Sequence, residues 1–272
     1  MGLTETKRLL RSSRISPNRL LGQNFMIEPA FYARLGEYAC LNKADIVLDA
    51  GAGFGFLTRY LAGKCKEVIA VEKDPRVAAV LREQVGGYDN VQVVEGDLLK
   101  TNLPPFEKVI SIPPYYLSSK LVTWLLERRA QCVVLVLQRE FAEKLVARIE
   151  SDEYGWLTVT SAYEVQTELL DNVPKTMFYP APEVDSVIVR MTRWATTPFQ
   201  VQDRLFFNRL VRWLFTQRNK RISNALVPLL RTTRKLTKKE AKKLASSAPF
   251  GERRARGLSP REFGELADAL TI

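Results

Sequence analysis

Four short stretches carry the side chains that could do chemistry. Gly51, Gly53 and Gly55 punctuate Ala50-Gly51-Ala52-Gly53-Phe54-Gly55, directly behind the apolar run 45–49. Glycines let a backbone turn tightly and approach a ligand closely, with a helix N-terminus beyond. Glu72 closes the next apolar run, about twenty residues on, where a carboxylate can accept both hydroxyls of a ribose. Those two features fit NAD, FAD or S-adenosylmethionine equally. Asp97, in Glu95-Gly96-Asp97-Leu98, ends a third run and can accept from the exocyclic amine of an adenine. Ser111-Ile112-Pro113-Pro114-Tyr115-Tyr116 ends a fourth. Two prolines stop a sheet ladder, because neither offers an N–H and both fix φ, and the tyrosines bring flat faces to the same place. Each stretch has an ordinary structural explanation: strand–helix packing, solvated strand ends, a proline-stopped loop. Their order at successive strand ends is what points to a nucleoside cofactor beside a planar acceptor.

Positioning such a set requires strands that all end on one side. The alternation supplies them: strands at 45–49, 67–72, 91–97, 108–112 and 132–137, with helices at 29–40, 56–62, 75–85, 118–127 and 139–148. Strands and helices at this spacing mean βαβ units and an α/β, doubly wound, mainly parallel sheet. Two more β-rich runs, 157–165 and 184–191, are expected to close its edge as a hairpin-like pair, for seven strands in all. Beyond Arg193-Trp194 only helical periodicity remains, as in Leu205, Phe206, Leu210, Trp213 and Leu214 on one face. The reading is a cofactor-binding domain over 1–199, led by a basic segment 1–20, and a small all-helical basic domain over 200–272.

The bulk composition narrows the chemistry. The chain has 272 residues, a net charge of +11 and a pI near 9.6, a balance that favours a polyanion such as nucleic acid as partner. It has no histidine, which removes Ser-His-Asp and Cys-His catalysis and His-ligated metal sites. Cys40, Cys65 and Cys132 are scattered without CxxC spacing, pointing to no zinc site and no disulfide frame. No apolar run approaches the roughly 20 residues of a membrane span, and the start lacks a secretory signal's apolar block. A cytoplasmic protein without membrane or metal is expected.

The stretches together resemble the small-subunit ribosomal RNA adenine dimethyltransferases, with the erythromycin-resistance methyltransferases as relatives. The likeness runs through Leu21-Gly22-Gln23-Asn24-Phe25, Val47 to Gly53, Ala70 to Asp74, Gly96-Asp97 and Pro114 to Ser119. It continues in Leu137 to Glu140, Tyr154-Gly155, Phe178 to Ser186 and Leu258 to Phe263. The resemblance implies a Rossmann-like methyltransferase domain that binds S-adenosylmethionine. Gln23, Asn24 and Met26 would close over its methionine end, with Gly51 and Gly53 bordering it. Glu72 would hold the ribose and Asp97 with the Leu98 backbone the cofactor adenine, with Lys73 also among the cofactor-binding residues. Ile112, Pro113, Pro114, Tyr115 and Phe178 would form the catalytic wall, Tyr115 and Phe178 sandwiching the target adenine. The implied substrate is a pair of adjacent adenines near the 3′ end of small-subunit rRNA, met on the immature subunit by a monomer. Arg11, Arg14, Arg218, Lys220, Arg221, Lys238, Lys239, Lys242 and Lys243 are the residues expected on RNA phosphates.

One departure stands out. The family's turn begins with an asparagine whose side-chain oxygen accepts from the target amine; here that position is Ile112, followed by Pro113 where leucine is common. Isoleucine cannot accept a hydrogen bond, and losing one acceptor in the transition state is expected to cost on the order of 10²–10³ in rate. The Pro113 carbonyl, or Ser111, is left to accept. A second reading follows: a ribosome-assembly factor of the same fold with weak or no methyl transfer. A DNA or tRNA amino-methyltransferase is a third. Asp49 also stands where the family usually has glutamate.

Overall fold

The computed structural model describes residues 2–18, 21–128 and 130–271. In chain order come α1 (Leu3–Ser12), β1 (Phe25–Met26), α2 (Ala30–Tyr38), β2 (Ile46–Ala50), α3 (Phe56–Ala62), β3 (Glu67–Glu72), α4 (Pro75–Val85), β4 (Val91–Glu95) and β5 (Lys108–Ser111). There follow α5 (Ser118–Glu127), β6 (Cys132–Gln138), α6 (Arg139–Glu143), α7 (Trp156–Glu164), β7 (Val165–Val173), β8 (Phe178–Tyr179) and β9 (Ser186–Arg193). Four helices complete the chain: α8 (Arg204–Thr216), α9 (Ile222–Arg234), α10 (Lys238–Ser247) and α11 (Pro260–Ala269).

The main sheet has seven strands in the order β4-β3-β2-β5-β6-β9-β7. β4 to β6 are parallel, and β9 runs antiparallel to β6. The strands read as unbroken apolar runs because both faces are covered: Val47, Leu48, Val68, Ile69, Val109, Ile110, Val134 and Leu135 are all buried. The chain builds outward from β2 through β3 to β4, then returns to the other side of β2 with β5. That reversal opens a crevice beyond the C-terminal ends of β2 and β5, the place where open α/β sheets bind ligands.

Local signals set the helix starts. Asp74 accepts from the Arg76 N–H at 3.0 Å with Pro75 in the first turn, and Ser259 and Glu262 cap α11 reciprocally. The stretch 157–165 departs from its expected strand: it is helix α7, and the edge strand is β7, which follows it. Thr158, Val159 and Thr160 favour strands locally, but that preference is weak beside packing. Val159 and Tyr163 join Tyr154, Phe207, Leu210 and Phe263 in one apolar cluster, and the Thr160 hydroxyl is satisfied within the helix by the Trp156 carbonyl at 3.0 Å. The helix expected over 139–148 is also shorter, ending at Glu143.

By contacts the chain divides into two compact units. One comprises the chain up to Ala142 with Thr167–Arg193; the other comprises Glu143–Gln166 with the chain from Trp194 on. The second is thus assembled from two segments and takes in α7, where a single cut at residue 200 would leave it out. Its core is the cluster around Phe207, Leu226, Leu230 and Phe263, tied by the Tyr154 hydroxyl donating to the Leu258 carbonyl at 2.6 Å. Among the described residues no helix is long and apolar enough to cross a membrane.

Candidate active site

The crevice beyond β2 and β5 collects the four stretches. One cleft is lined by Gln23, Asn24, Met26, Gly51, Gly53, Glu72, Lys73, Asp97, Leu98, Ile112 and Pro114, among others. Gly51 shows why the first turn is glycine. Its φ is +84°, and a Cβ there would lie 2.7 Å from Cδ of Pro114, so any side chain would drive the glycine loop off the proline turn. The loop is held to β3 by the Gly51 and Ala52 N–H groups, which donate to the Val71 carbonyl at 2.8 and 3.0 Å.

The Glu72 carboxylate accepts from three backbone N–H groups: Gly53 at 3.0 Å, Lys73 at 2.8 Å and Asp74 at 2.9 Å. Burial nonetheless pushes its pKa up from the ordinary carboxylate value, and those bonds pull the other way. A carboxylate has about four acceptor positions, so one remains for a ligand hydroxyl. Asp97 accepts from Lys73 Nζ at 3.1 Å and from the Leu99 N–H at 3.1 Å. The Lys73 ammonium holds it below the usual carboxylate range. β4 stops at Glu95, so Asp97 stands two residues past the strand, on the turn made by Gly96.

Gln23 is spent on the scaffold. Its Nε2 donates to Asp74 Oδ2 at 3.0 Å and its Oε1 accepts from the Asn18 N–H at 2.8 Å, pinning the entering segment to the start of α4. Asn24 Nδ2 donates to the Gly22 carbonyl at 3.3 Å. Phe25 and Met26 then pair antiparallel with Tyr179 and Phe178, so the β1–β8 ribbon links the cleft's edge to the Phe178 loop. The Phe25 ring lies on Phe54 of the glycine loop, centroids 4.3 Å apart and nearly parallel.

The structure also brings in residues that the motifs did not single out as site residues. Asp49 lines the cleft at 1% exposure, accepts from the Thr58 hydroxyl at 2.8 Å, and has its pKa pushed up to about 7, first by burial and further by the Glu72 charge. Tyr116 and Lys120 stand at the same cleft. The signal for Asp49 was its place at the strand end before the glycines; nothing in spacing alone marks Lys120.

Ile112 lines the cleft and packs partly buried against the main apolar cluster. Ser111 is fully buried and its hydroxyl donates to the Ala50 carbonyl at 2.7 Å, away from the cleft. Pro113, Tyr115 and Phe178 are not among the residues of the cleft wall. Tyr115 and Phe178 meet edge to face instead, centroids 6.4 Å apart at 71°, with the Tyr115 hydroxyl 2.7 Å from Ser186 Oγ. In this arrangement no flat base lies parallel to both rings.

Of the basic residues, Arg11, Arg14, Lys220, Lys238, Lys239, Lys242 and Lys243 are exposed, while Arg221 pairs with Glu252 at 2.6 Å and Arg218 reaches Asp152 at 3.9 Å. Arg19, part of the basic lead-in, lies outside the described residues.

Comparisons with known proteins bear on the family and the fold. Residues 15–257 match the family model "Ribosomal RNA adenine dimethylase". The probable ribosomal RNA small subunit methyltransferase A of Methanosarcina mazei is 36% identical over 250 residues, covering 91% of each chain. Among solved structures, a dimethyladenosine transferase from Plasmodium falciparum superposes with a TM-score of 0.74 at 27% identity, covering 88% of this chain and 94% of that one. The 23S rRNA methyltransferase ErmE superposes with a TM-score of 0.66 at 30% identity, covering 92% of this chain and all of its own. With its sheet, its cleft and its ordered strand-end motifs, the chain belongs to the ribosomal RNA adenine dimethylase family.

Proposed function

We propose that this enzyme transfers methyl groups from S-adenosylmethionine to the exocyclic amines of adjacent adenines near the 3′ end of small-subunit rRNA, acting on the immature subunit. The observation that carries the reading is the convergence of Gly51, Glu72, Asp97 and the Ile112–Pro114 turn on one cleft at the sheet's reversal point. The relatives are named as methyltransferases, and nothing in them favours a non-catalytic assembly factor.

The cleft's donor set fits the cofactor. Glu72 offers its remaining acceptor position to a ribose hydroxyl, Asp97 an acceptor for an adenine amine beside the Leu98 backbone, and Gly51 and Gly53 line the same cleft. Gln23, Asn24 and Met26 border the remaining end. The bound cofactor supplies a methyl group made electrophilic by a positive sulfonium.

The rest is positioning by the chain. An adenine amine needs no strong base before attack; it needs alignment and an acceptor for its hydrogens, and alignment alone removes a large share of the barrier. The target base leaves its stack and, because Tyr115 and Phe178 stand edge to face, stacks on one of the two rings and meets the edge of the other, which offsets part of the unstacking. Ile112 contributes shape and dryness, and with Ser111 turned inward the Pro113 carbonyl is the acceptor left to the amine. The exposed lysines of α10, with Lys220 and Arg11 and Arg14, contact phosphates, as do Arg218 and Arg221 once freed from their carboxylates. We place the enzyme in the cytoplasm, as a monomer that works without a metal. Incubation with unmethylated small subunits and methyl-labelled cofactor tests the reading: label appears as dimethyladenine in the RNA, and no label on adenine at saturation refutes it.

A further inference from the structure

Tyr116 has no evident task in the fold. The residue is 50% exposed at the lip of the cleft, whereas its neighbour Tyr115 is tucked in with its hydroxyl on Ser186. Water on so large an apolar face is unfavourable, and the Tyr116 hydroxyl has no hydrogen-bond partner among the described residues to compensate. Its backbone is also tightly placed. It sits in the single 3₁₀ turn Tyr115–Leu117, entered from Pro113-Pro114, closed by the Leu117 N–H on the Pro114 carbonyl at 2.9 Å, and followed at once by α5. The ring's edge leans on Gly22, where a Cβ would come within 3.3 Å of Tyr116 Cδ1.

One helical turn further on, Lys120 stands exposed at the same cleft and makes no ion pair among the described residues. Lys73, the other cation at the lip, is held by Asp97. An exposed aromatic ring on a tight turn with an uncommitted cation beside it is the combination that holds single-stranded nucleic acid, base on ring and phosphate on ammonium. Tyr116 is on the same turn as Tyr115, so what it holds must be close to the acceptor.

We propose that Tyr116 and Lys120 form a subsite for the nucleotide flanking the target adenine, Tyr116 stacking its base and Lys120 meeting its phosphate. The subsite rests on the transfer reading above and adds a specificity element to it: the neighbouring base is parked at the lip while the target occupies the acceptor position. The turn's fixed backbone and the Gly22 contact reduce the entropy lost when Tyr116 orders the flanking nucleotide.

The test uses the full-length enzyme on unmethylated small subunits, with cofactor affinity measured separately by calorimetry. Tyr116→Ala is expected to raise KM for subunits about 5- to 150-fold, the range a lost base–aromatic stack commands, with kcat and the cofactor Kd within about twofold of wild type. Tyr116→Trp and Tyr116→Phe should retain KM. Lys120→Gln should shallow the slope of log KM against log salt by about 0.7. An unchanged KM in Tyr116→Ala overturns the subsite while leaving the transfer reading intact, and so does a weakened cofactor Kd with unchanged subunit KM, which would make Tyr116 a cofactor wall. A wild-type enzyme that labels no adenine overturns the reading and the subsite together.

Discussion

Asp49 is the most constrained charge of the cleft. Its pKa is pushed up from the ordinary 3.8 to about 7 in the folded state, because burial removes its water while among the described residues only Thr58 donates to it. Between those values the folded state keeps a proton that the unfolded chain gives up, so stability falls as pH rises through the window and the loss is complete above about 7. Asp49→Asn keeps an acceptor for Thr58 and never ionises. Its stability advantage over wild type should therefore grow by up to about 1.4 kcal/mol per pH unit inside the window and level off beyond it. Urea unfolding across that range measures this, and a pH-independent difference would contradict it. Ile112 allows the second residue-scale prediction. Ser111 is committed to Ala50, so the turn lacks a side-chain acceptor and Ile112→Asn restores one. Turnover should rise toward the order of 10²–10³ that one such acceptor commands, with cofactor affinity unchanged. Single-turnover kinetics on small subunits decides it; an unaltered rate means the Pro113 carbonyl already suffices.

At the scale of elements, the cleft depends on two turns approaching closely, and Gly51 is where they touch. Gly51→Ala places a methyl at 2.7 Å from a proline ring carbon that cannot swing away, on a residue with φ of +84°. A destabilisation of about 1–3 kcal/mol is expected, together with a marked loss of cofactor affinity, read by thermal unfolding and calorimetry. β5 is secured from its other end by Lys108, whose ammonium donates to Asp45 at 2.8 Å and to the Cys40 carbonyl at 2.7 Å, both ionic side chains being 10% exposed. Lys108→Met strands a buried carboxylate and should cost about 3–5 kcal/mol, measurable as a lowered urea midpoint. These elements were readable in advance because parallel strands covered on both faces leave uninterrupted apolar runs, and because Glu72 and Asp97 sit at fixed offsets from them. Helix α7 was not, since its Thr and Val residues favour strands and only the apolar cluster around Tyr163 and Phe207 outweighs that preference. Lys120 was not legible for a related reason, nor was which of the two tyrosines lines the cleft: which side of a turn faces a cleft depends on where the turn lands, and spacing does not record that.

For the whole molecule, the distribution of charge is sharper than its total. Residues 200–272 hold 17 of the 41 Lys and Arg but only 6 of the 30 Asp and Glu, so the entire excess of +11 resides there and the first 199 residues balance. The excess lies in the C-terminal helices and not around the cleft, the distribution expected if those helices draw RNA from a distance. α10 concentrates the effect: Lys238, Lys239, Lys242 and Lys243 are exposed, and Glu240, the one acid in that helix, turns back to cap Thr237. Neutralised phosphates release counterions, so affinity for rRNA should fall steeply and linearly on a log–log salt plot. Replacing the four lysines by glutamine should weaken binding to small subunits and shallow that slope by about 3–4, at 0.7–0.9 per phosphate lost. Cofactor affinity should not move, because the cleft lies wholly among residues 21–120. If the quadruple variant keeps the full slope, α10 is a solvated face and the phosphate contacts fall to the other basic residues of the chain.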